Sequence, residues 1–252
     1  MGKTWEKILE MINRRKALHA TLLDPDPLCY TQEQLIKMAK ISTMAGSDLI
    51  FIGGSTIPDS RFVEETVKGI KSEVDAPVLL FPGNLTGVAP SADAILFMSL
   101  LNSANPYFIT EAQAISAPYI KITGLEAISM AYIVIEPGAV AGYIGWARPL
   151  PRNKPSLVAA YVCAAELMGF KMAYLEAGSG AENAVPPEAI KVSRKLSNIP
   201  IVVGGGLTTP EEVRIAVKAG ASIIVQGTFV EKTVLQDGGQ ALREIINAMR
   251  SP

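Results

Sequence analysis

Eight short apolar segments rich in β-branched residues alternate with longer amphipathic segments, and this alternation restricts the fold more than any other feature. Segments of this kind are typical of parallel strands joined by crossover helices, because a strand covered on both faces is apolar throughout. Eight parallel strands close into a (β/α)8 barrel of the TIM type, and 252 residues is a usual length for that α/β fold. We predict strands at residues 17–23, 49–52, 78–81, 94–98, 132–136, 173–176, 201–203 and 223–226.

Helices are predicted where apolar residues recur every three to four positions, with prolines near the starts and glycines after the ends. The predicted helices are residues 32–45, 61–73, 155–168, 187–196, 210–219 and 240–249. Only about a dozen residues separate the third and fourth strands, and Pro82, Gly83 and Pro90 interrupt them. We therefore predict a barrel whose third helix is missing or replaced by a loop. No linker or long-period repeat divides the chain, so residues 1–252 are predicted to form a single barrel domain.

The charge distribution argues against several classes of partner. With 23 basic and 24 acidic residues spread evenly, the chain has no basic block for nucleic acid. Prolines and Asp93 break the low-charge stretch 76–110, so it is not a membrane-spanning helix. The N-terminal segment carries Glu6 and Glu10 and lacks the apolar run of a signal peptide, so we expect a soluble, cytoplasmic protein. Only 19% of residues are charged, so we expect a large core, a subunit interface or an apolar ligand tunnel.

Cysteine and histidine are too scarce for several familiar kinds of site. Cys29 and Cys163 are too few for a disulfide framework, and we expect both to be small buried or partly buried residues. His19 is the single histidine and lies inside the first predicted strand, where we expect it to be packed. A zinc cluster or a Ser-His-Asp triad is therefore not expected. Neither a dinucleotide-binding GxGxxG after the first strand nor a P-loop lysine motif is present.

Glycine-rich segments follow three successive strands, at residues 174–180, 204–206 and 226–228. Without a Cβ, glycine lets backbone N–H groups converge on an anion. Barrels of this type commonly bind phosphate at the loops after the last two strands. A single segment of this kind would be more simply explained as a tight turn. Three of them on one rim predict a phosphate site.

Three polar side chains at predicted strand ends could carry chemistry. Glu176 ends the sixth strand inside an apolar run, where it could bind or deprotonate a substrate hydroxyl or accept a bond from a loop N–H. Asp24 follows the first strand and Ser55 follows the second. Together they could hold Mg²⁺, which needs only one or two protein oxygens when substrate phosphates and water supply the rest. The alternative for Asp24, which precedes a proline, is a turn residue.

Taken together, these segments resemble the geranylgeranylglyceryl phosphate synthase family, including its bacterial heptaprenylglyceryl relatives. The similarity extends over essentially the whole chain, and that family also lacks the third barrel helix. The segments that carry the resemblance are residues 23–25 (LDP), 52–55 (IGGS), 79–84 (LLFPGN), 98–103 (MSLLNS), 174–180 (YLEAGSG), 204–206 (GGG) and 227–228 (GT).

The resemblance implies a Mg²⁺-dependent prenyltransferase of archaeal-type phospholipid synthesis. It would join geranylgeranyl diphosphate, or a similar polyprenyl diphosphate, to the 3-hydroxyl of sn-glycerol 1-phosphate and release diphosphate. By the same resemblance, Asp24 and Ser55 would bind Mg²⁺, and Glu176 would be catalytic and hold the acceptor hydroxyl. The implied glycerol phosphate site consists of Tyr174, Leu175, Glu176, Ala177, Gly178, Ser179, Gly180, Gly204, Gly205, Gly227 and Thr228.

One position departs from part of that family, in which a lysine stands two residues before the metal-binding aspartate. This chain has Leu22 there, and its 151–155 segment is similar to the family's second group. Arg152 and Lys154 are candidate replacements as phosphate contacts, with solvated loop charges as the alternative. The second group implies a homo-oligomer, a hexamer or a dimer, with Tyr143 as a candidate aromatic anchor. Peripheral contact with a membrane is compatible with this function.

We expect the prenyl chain to lie in an apolar groove beside the third strand, and about half of the candidate residues to be ordinary core. Two alternatives remain open from the residues alone. One is a sugar-phosphate isomerase or synthase built on the same barrel. The other is a non-catalytic protein that binds phosphoglycerol or a flavin phosphate. The candidate groove residues are Phe81, Phe97, Met98, Leu100, Leu101, Tyr107 and Phe108.

Overall fold

A computed structural model describes residues 2–54 and 59–251. Its eight strands are parallel and close into a barrel in sequence order, with the last strand paired to the first through Leu18 and Ile223. The predicted barrel is therefore confirmed. The strands are β1 Leu18–Leu23, β2 Leu49–Ile52, β3 Val78–Leu80, β4 Ala94–Leu100, β5 Glu126–Val134, β6 Met172–Glu176, β7 Ile201–Gly204 and β8 Ile223–Gln226.

Helices surround the barrel, except between β3 and β4. The chain there forms only a 3-10 turn at Leu85–Gly87, which begins where the Asn84 side chain accepts the Thr86 N–H at 2.9 Å. The predicted absence of the third helix is confirmed. The helices are α1 Lys3–Arg15, α2 Gln32–Ala45, α3 Ser60–Glu73, α4 Ala112–Thr123, α5 Ala139–Ile144, α6 Pro155–Leu167, α7 Pro187–Leu196, α8 Pro210–Ala219, α9 Thr228–Asp237 and α10 Gln240–Arg250, with a π-helical turn at Tyr107–Glu111 before α4.

The fifth strand and four helices differ from the sequence-based expectation. β5 begins at Glu126, six residues before the predicted start at 132, because polar Glu126 and Ser129 interrupt its apolar pattern. The strand ends at Val134, although the Ile135 N–H still donates to the Glu176 carbonyl at 2.8 Å and Ile135 forms an isolated bridge with Leu150. Helices α1, α4, α5 and α9 were not predicted. α4 contains a proline, at 118, and α5 is only six residues long.

Alternating side chains divide the structure into an inner core and two outer layers. On β1, Leu18 and Ala20 pack inside the barrel. His19 points outward, is fully buried, and contacts the Gln226 side chain at 3.1 Å, which confirms that it is a packed strand residue. Burial lowers the pKa of His19 to about 4, so the imidazole is neutral near pH 7.

The prediction for the two cysteines is half wrong. Cys163 is partly buried, but Cys29 is exposed. Cys29 lies in the turn after β1, where its N–H donates to the Asp26 carbonyl at 3.0 Å. Turn geometry therefore overrides the usual burial of a free cysteine. None of the helices described is both long and apolar enough to cross a membrane.

Helix α1 closes the N-terminal end of the barrel. Trp5 and Ile8 are buried against the interior cluster. The Glu126 carboxylate, at the start of β5, accepts the N–H groups of Thr4 and Trp5 at 2.9 and 3.0 Å. These bonds satisfy two of the donors that the first turn of a helix leaves unpaired. The closed floor leaves the opposite mouth, at the carboxyl ends of the strands, as the place where a ligand enters.

We expect Trp5→Ala to destabilise the fold by about 3–5 kcal/mol, because it empties a buried aromatic position beneath the barrel. The free energy of unfolding in urea measures this change. Leu167→Ala is the matched control, since Leu167 is 84% exposed at the end of α6 and should change stability by less than about 0.5 kcal/mol. Equal stability of the two variants would contradict the role of α1 as the floor.

Candidate functional site

Asp24 lies at the open mouth of the barrel with an unsatisfied oxygen. It follows β1 and lines the groove that also contains Glu176. Its Oδ1 atom is buried and has no hydrogen-bond partner in the described structure. Burial, and to a smaller degree the charge of Asp26, raises the pKa of Asp24 to about 6. A buried carboxylate oxygen without a donor is a suitable ligand for a hard cation.

The residue after β2 makes room for this carboxylate. A Cβ on Gly53 would lie 2.6 Å from Leu22 Cδ1 and 3.1 Å from Asp24 Oδ1. Gly53 N–H donates to the Leu23 carbonyl at 2.9 Å, so the backbones of the two strand ends are fixed side by side. The other predicted metal ligand, Ser55, lies outside the described residues.

Glu176 is held on both oxygens across the mouth from Asp24. Its Oε1 accepts the Gly178 N–H at 2.6 Å, and its Oε2 accepts the Tyr132 hydroxyl at 3.1 Å. Burial raises the pKa of Glu176 and the charge of Asp24 adds to this, while hydrogen bonds from Gly178, Tyr132 and Tyr174 oppose it. The carboxylate is therefore fixed in position and has a raised proton affinity. Both are properties of a general base.

An aromatic cluster supports Glu176 from inside the barrel. Phe81 stacks on Tyr174 with ring centroids 5.2 Å apart and meets Tyr132 edge-on at 5.7 Å. The Tyr174 hydroxyl occupies the space that a side chain at Gly204 would need. Tyr174 is only 1% exposed, so its side chain lies beneath the site and supports it.

The first two glycine-rich loops meet through their backbones. Gly205 has φ +83°, and a Cβ there would lie 2.6 Å from both Gly178 N and Glu176 Oε1. Gly206 has φ +69°, and a Cβ there would lie 2.7 Å from Ala184 N. Only glycine fits both the conformation and the space at these two positions. The loops after β6 and β7 therefore form one continuous surface of main chain.

The third glycine-rich loop joins the same surface. Thr228 begins α9 directly after Gly227, and its Oγ1 lies 2.8 Å from Ser179 Oγ. The N-terminal end of a helix attracts anions through its free N–H groups and its dipole. The three segments identified in the sequence are thus brought together at the mouth, as expected for an anion site.

Two of the predicted binding residues point away from this surface. Leu175 and Ala177 pack in the outer layer between the sheet and its helices, because successive side chains of a strand alternate between faces. Their side chains therefore do not face the mouth. Ala177 takes part through its backbone, since its carbonyl accepts the Gly138 N–H at 3.1 Å.

The two basic candidates behave differently from each other. Arg152 donates to the backbone carbonyls of Glu136, Asn183 and Ala184, at 3.1, 3.3 and 2.6 Å. Its guanidinium is therefore engaged with the main chain of two loops. Lys154 is exposed at the start of α6 and fits the alternative of a solvated loop charge.

An apolar groove of about 310 Å³ runs from Asp24 and Glu176 toward the side where the third helix is missing. The loop after β3, strand β4 and helices α4 and α5 form its walls. Leu101 packs in an outer core layer, and Tyr107 contacts Phe108 edge-on at 5.1 Å. Of the seven candidates, Phe81, Phe97, Met98, Leu100 and Phe108 line the groove.

Two residues of the site are not evident from the sequence. Tyr132 lies in a run predicted as strand, where a tyrosine among β-branched residues is the available signal. Glu231, in the first turn of α9, has a pKa raised to about 7 by burial and by the charge of Asp24. Only the packing of α9 against the end of β1 reveals it.

Comparison with known proteins gives consistent matches. The PcrB family model matches residues 10–249. Geranylgeranylglyceryl phosphate synthase of Methanosphaera stadtmanae is 49% identical over 228 residues, which cover 90% of this chain and 93% of that protein. The protein of the same name from Thermococcus kodakarensis is 48% identical over 232 residues, 92% of this chain and 91% of that protein.

A solved structure matches the whole barrel. The crystal structure of (S)-3-O-geranylgeranylglyceryl phosphate synthase from Thermoplasma acidophilum, in complex with its substrate sn-glycerol-1-phosphate, superposes with a TM-score of 0.94. The two sequences are 36% identical, and the match covers all of both chains.

We expect Gly205→Ala to abolish anion binding, because the added Cβ would collide with the Gly178 backbone. Stabilisation of the folded protein by inorganic phosphate, followed by thermal unfolding, measures this. Gly169→Ala is the matched control: Gly169 has φ +85°, but a Cβ there meets nothing within 4 Å. Both variants carry the same backbone strain of about 1 kcal/mol, and only Gly205→Ala should lose the effect of phosphate. If phosphate still raised the melting temperature of Gly205→Ala, the contact between Gly205 and the Gly178 backbone would not be the basis of the anion site.

We expect Asp24→Asn to be more stable than the wild type at pH 8 in metal-free buffer, by up to about 3 kcal/mol. Because the folded-state pKa is raised from 3.8 to about 6, the wild type loses stability as pH rises through this interval, and asparagine does not. Urea unfolding at pH 4 and pH 8 measures the difference. Asp75→Asn, at an exposed position, is the control. If the stability gain of Asp24→Asn were the same at pH 4 and pH 8, the raised pKa of Asp24 in the folded state would be wrong.

Proposed function

Because the chain belongs to the PcrB family, we propose that it is a prenyltransferase that forms an ether between a polyprenyl diphosphate and sn-glycerol 1-phosphate. The donor is geranylgeranyl diphosphate or a similar polyprenyl diphosphate, the attacking group is the 3-hydroxyl, and diphosphate is released. The product is the first ether of archaeal-type membrane phospholipids. Relatives with this named activity are 48–49% identical, and the Thermoplasma acidophilum structure contains sn-glycerol-1-phosphate.

One geometric observation carries the proposal: Asp24 and the glycine loops lie at the same barrel mouth, with Glu176 and the apolar groove between them. An allylic diphosphate and a phosphorylated alcohol are both anions and must be held close together. Separate binding devices on separate strand ends achieve this. The main-chain amides would bind the glycerol phosphate, and the Asp24 side of the mouth would bind the diphosphate.

The residues present fit a magnesium ion. Asp24 provides a buried oxygen without a hydrogen-bond partner, and Ser55 is the second proposed ligand. No group of three His, Cys, Asp or Glu among the described residues could enclose a metal, so the remaining ligands would be diphosphate oxygens and water. When bound there, Mg²⁺ would neutralise charge on the departing diphosphate.

Glu176 would bind the acceptor hydroxyl and accept its proton. Bonds from Gly178 and Tyr132 fix the carboxylate, and its oxygens retain further lone pairs for the substrate. Since burial raises the proton affinity, Glu176 takes up the hydroxyl hydrogen as the oxygen bonds to the prenyl carbon. Gly178 links the two functions, because it belongs to the phosphate loop and also orients the base.

The aromatic rings would stabilise positive charge on the prenyl carbon. Phe81 and Tyr132 line the groove next to Glu176. The face of an aromatic ring attracts a cation, by about 2 kcal/mol where water is excluded. Positive charge that develops as diphosphate departs would therefore lie against ring faces.

The groove would hold the prenyl chain where a third helix would otherwise stand. A chain of about twenty carbons gains roughly 0.8 kcal/mol per methylene on leaving water, but a membrane offers the same gain. The shape of the groove, more than the amount of apolar area that it buries, therefore decides which chain length fits. Met98 and Phe108 are groove residues that could set this limit.

We also propose that the chain forms a homo-oligomer, a hexamer or a dimer. Tyr143 is 86% exposed and Trp146 is 65% exposed on one short segment, which supports this region as the aromatic anchor. Peripheral contact with a membrane would be compatible with a substrate that dissolves in lipid. The sugar-phosphate enzyme and the non-catalytic binding protein are disfavoured, because neither explains the apolar groove beside Asp24 and Glu176.

We expect the protein to form a butanol-extractable ether from sn-glycerol 1-phosphate and labelled geranylgeranyl diphosphate when Mg²⁺ is present, and to lose this activity in EDTA. The opposite enantiomer, sn-glycerol 3-phosphate, tests whether the glycerol site distinguishes the two enantiomers of the phosphorylated alcohol. If no ether is formed with any polyprenyl diphosphate from fifteen to thirty-five carbons, the proposed function is wrong.

We expect Glu176→Gln to lower kcat about 100-fold or more, since glutamine can accept a hydrogen bond but cannot take the proton. The affinity for sn-glycerol 1-phosphate, measured by calorimetry, should change only a few-fold. Glu182→Gln is the control, because Glu182 is exposed on the same loop. A Glu176→Gln variant with wild-type kcat would show that the carboxylate is not the base.

A further inference from the structure

Arg152 bridges two loops on the catalytic side of the barrel. Its Nη1 donates to the carbonyls of Glu136 and Asn183, at 3.1 and 3.3 Å, and its Nη2 donates to the Ala184 carbonyl at 2.6 Å. The Arg152 backbone N–H also donates to the Glu136 carboxylate, at 3.3 Å. One side chain thus connects the segment after β5 to the far end of the loop after β6.

The segment that Arg152 holds lies against the second glycine-rich loop. The space that a Cβ on Gly206 would fill is bounded by the Asn183–Ala184 peptide, with Ala184 N at 2.7 Å. Gly206 follows Gly205, which contacts Gly178 in the same close manner. Arg152 therefore supports a peptide unit on which one phosphate loop rests, without being part of that loop.

The loop after β6 has a separate support at its start. Gly138 N–H donates to the Ala177 carbonyl at 3.1 Å, and a Cβ on Gly178 would lie 2.6 Å from Ala139 Cβ. Ser179 and Gly180, which follow, are exposed. The proposed phosphate ligands therefore lie between an anchored start and the end that Arg152 holds.

Preorganised donors bind an anion better than donors that must be ordered first, because fixing a flexible backbone costs conformational entropy. The planar, forked guanidinium can serve three carbonyls at once, which a lysine ammonium at the end of a flexible stem does less well. Arg152 is thus suited to hold the main chain in a fixed position.

We propose that Arg152 is a positioning residue for the glycerol phosphate site. It fixes residues 183–184 and, through them, Gly205 and Gly206, so that the main-chain amides are in place before the phosphate arrives. The inference rests on the proposed function, and it assigns Arg152 to the acceptor side of the reaction only. The diphosphate side and the chemical step do not depend on it.

The test is calorimetric binding of sn-glycerol 1-phosphate together with steady-state kinetics for both substrates. We expect Arg152→Gln to raise the Kd and KM for sn-glycerol 1-phosphate about tenfold, with kcat and the KM for the prenyl diphosphate within about twofold. Arg152→Lys should raise the same Kd about threefold, since an ammonium can keep part of the contacts. Lys154→Gln removes the same charge from an exposed position two residues away and should change none of these values.

Three outcomes would overturn the inference. One is an Arg152→Gln variant with wild-type affinity for sn-glycerol 1-phosphate. Another is a uniform loss of kcat and of both affinities with a lower melting temperature and no recovery in Arg152→Lys, which would indicate a general structural role. The third applies if Arg152→Gln does not fold: an Arg152→Lys variant with wild-type affinity for sn-glycerol 1-phosphate would then contradict the inference. A wild-type protein that does not bind sn-glycerol 1-phosphate would overturn the proposed function itself, whatever the variants do.

Discussion

The backbones of Gly178 and Gly205 approach at the mouth of the barrel so closely that a Cβ on Gly205 would lie 2.6 Å from Gly178 N. This contact joins the loops after β6 and β7 into one surface of main-chain donors. It also places Gly178 N–H on the Glu176 carboxylate. The proposed anion site and the proposed base are therefore built from the same few atoms, and a shift of either loop would disturb both.

The two carboxylates at the mouth have different surroundings. Glu176 is bonded by Gly178 and Tyr132, whereas Asp24 keeps an oxygen without a partner. The charge of Asp24 raises the proton affinity of Glu176, since like charges are unfavourable where water is scarce. A cation beside Asp24 would relieve this repulsion and leave Glu176 free to act as a base. These electrostatics are compatible with the proposed cation at Asp24 and with the proposed proton transfer to Glu176.

The two ends of the barrel separate stability from function. Helix α1 closes one end with Trp5 and Ile8, and Asp48 there pairs with Arg15 and Arg250. At the other end, the missing helix between β3 and β4 leaves a gap that the groove occupies. A complete ring of helices would cover this face. The missing helix is therefore the structural condition for the apolar groove in which we propose that the prenyl chain binds.

The sequence by itself determined the number of strands, the missing third helix and the three glycine-rich segments, because strand patterning and glycine conformation depend on nearby residues. It also placed Asp24 and Glu176 at strand ends. Only the tertiary structure decided that Tyr132 bonds Glu176, that Arg152 holds backbone carbonyls, and that the side chain of Leu175 faces away from the mouth. Each of these depends on contacts between residues far apart in the chain, or on which face a strand turns inward. Barrel closure and strand register fix such contacts, and no local pattern of residues encodes them.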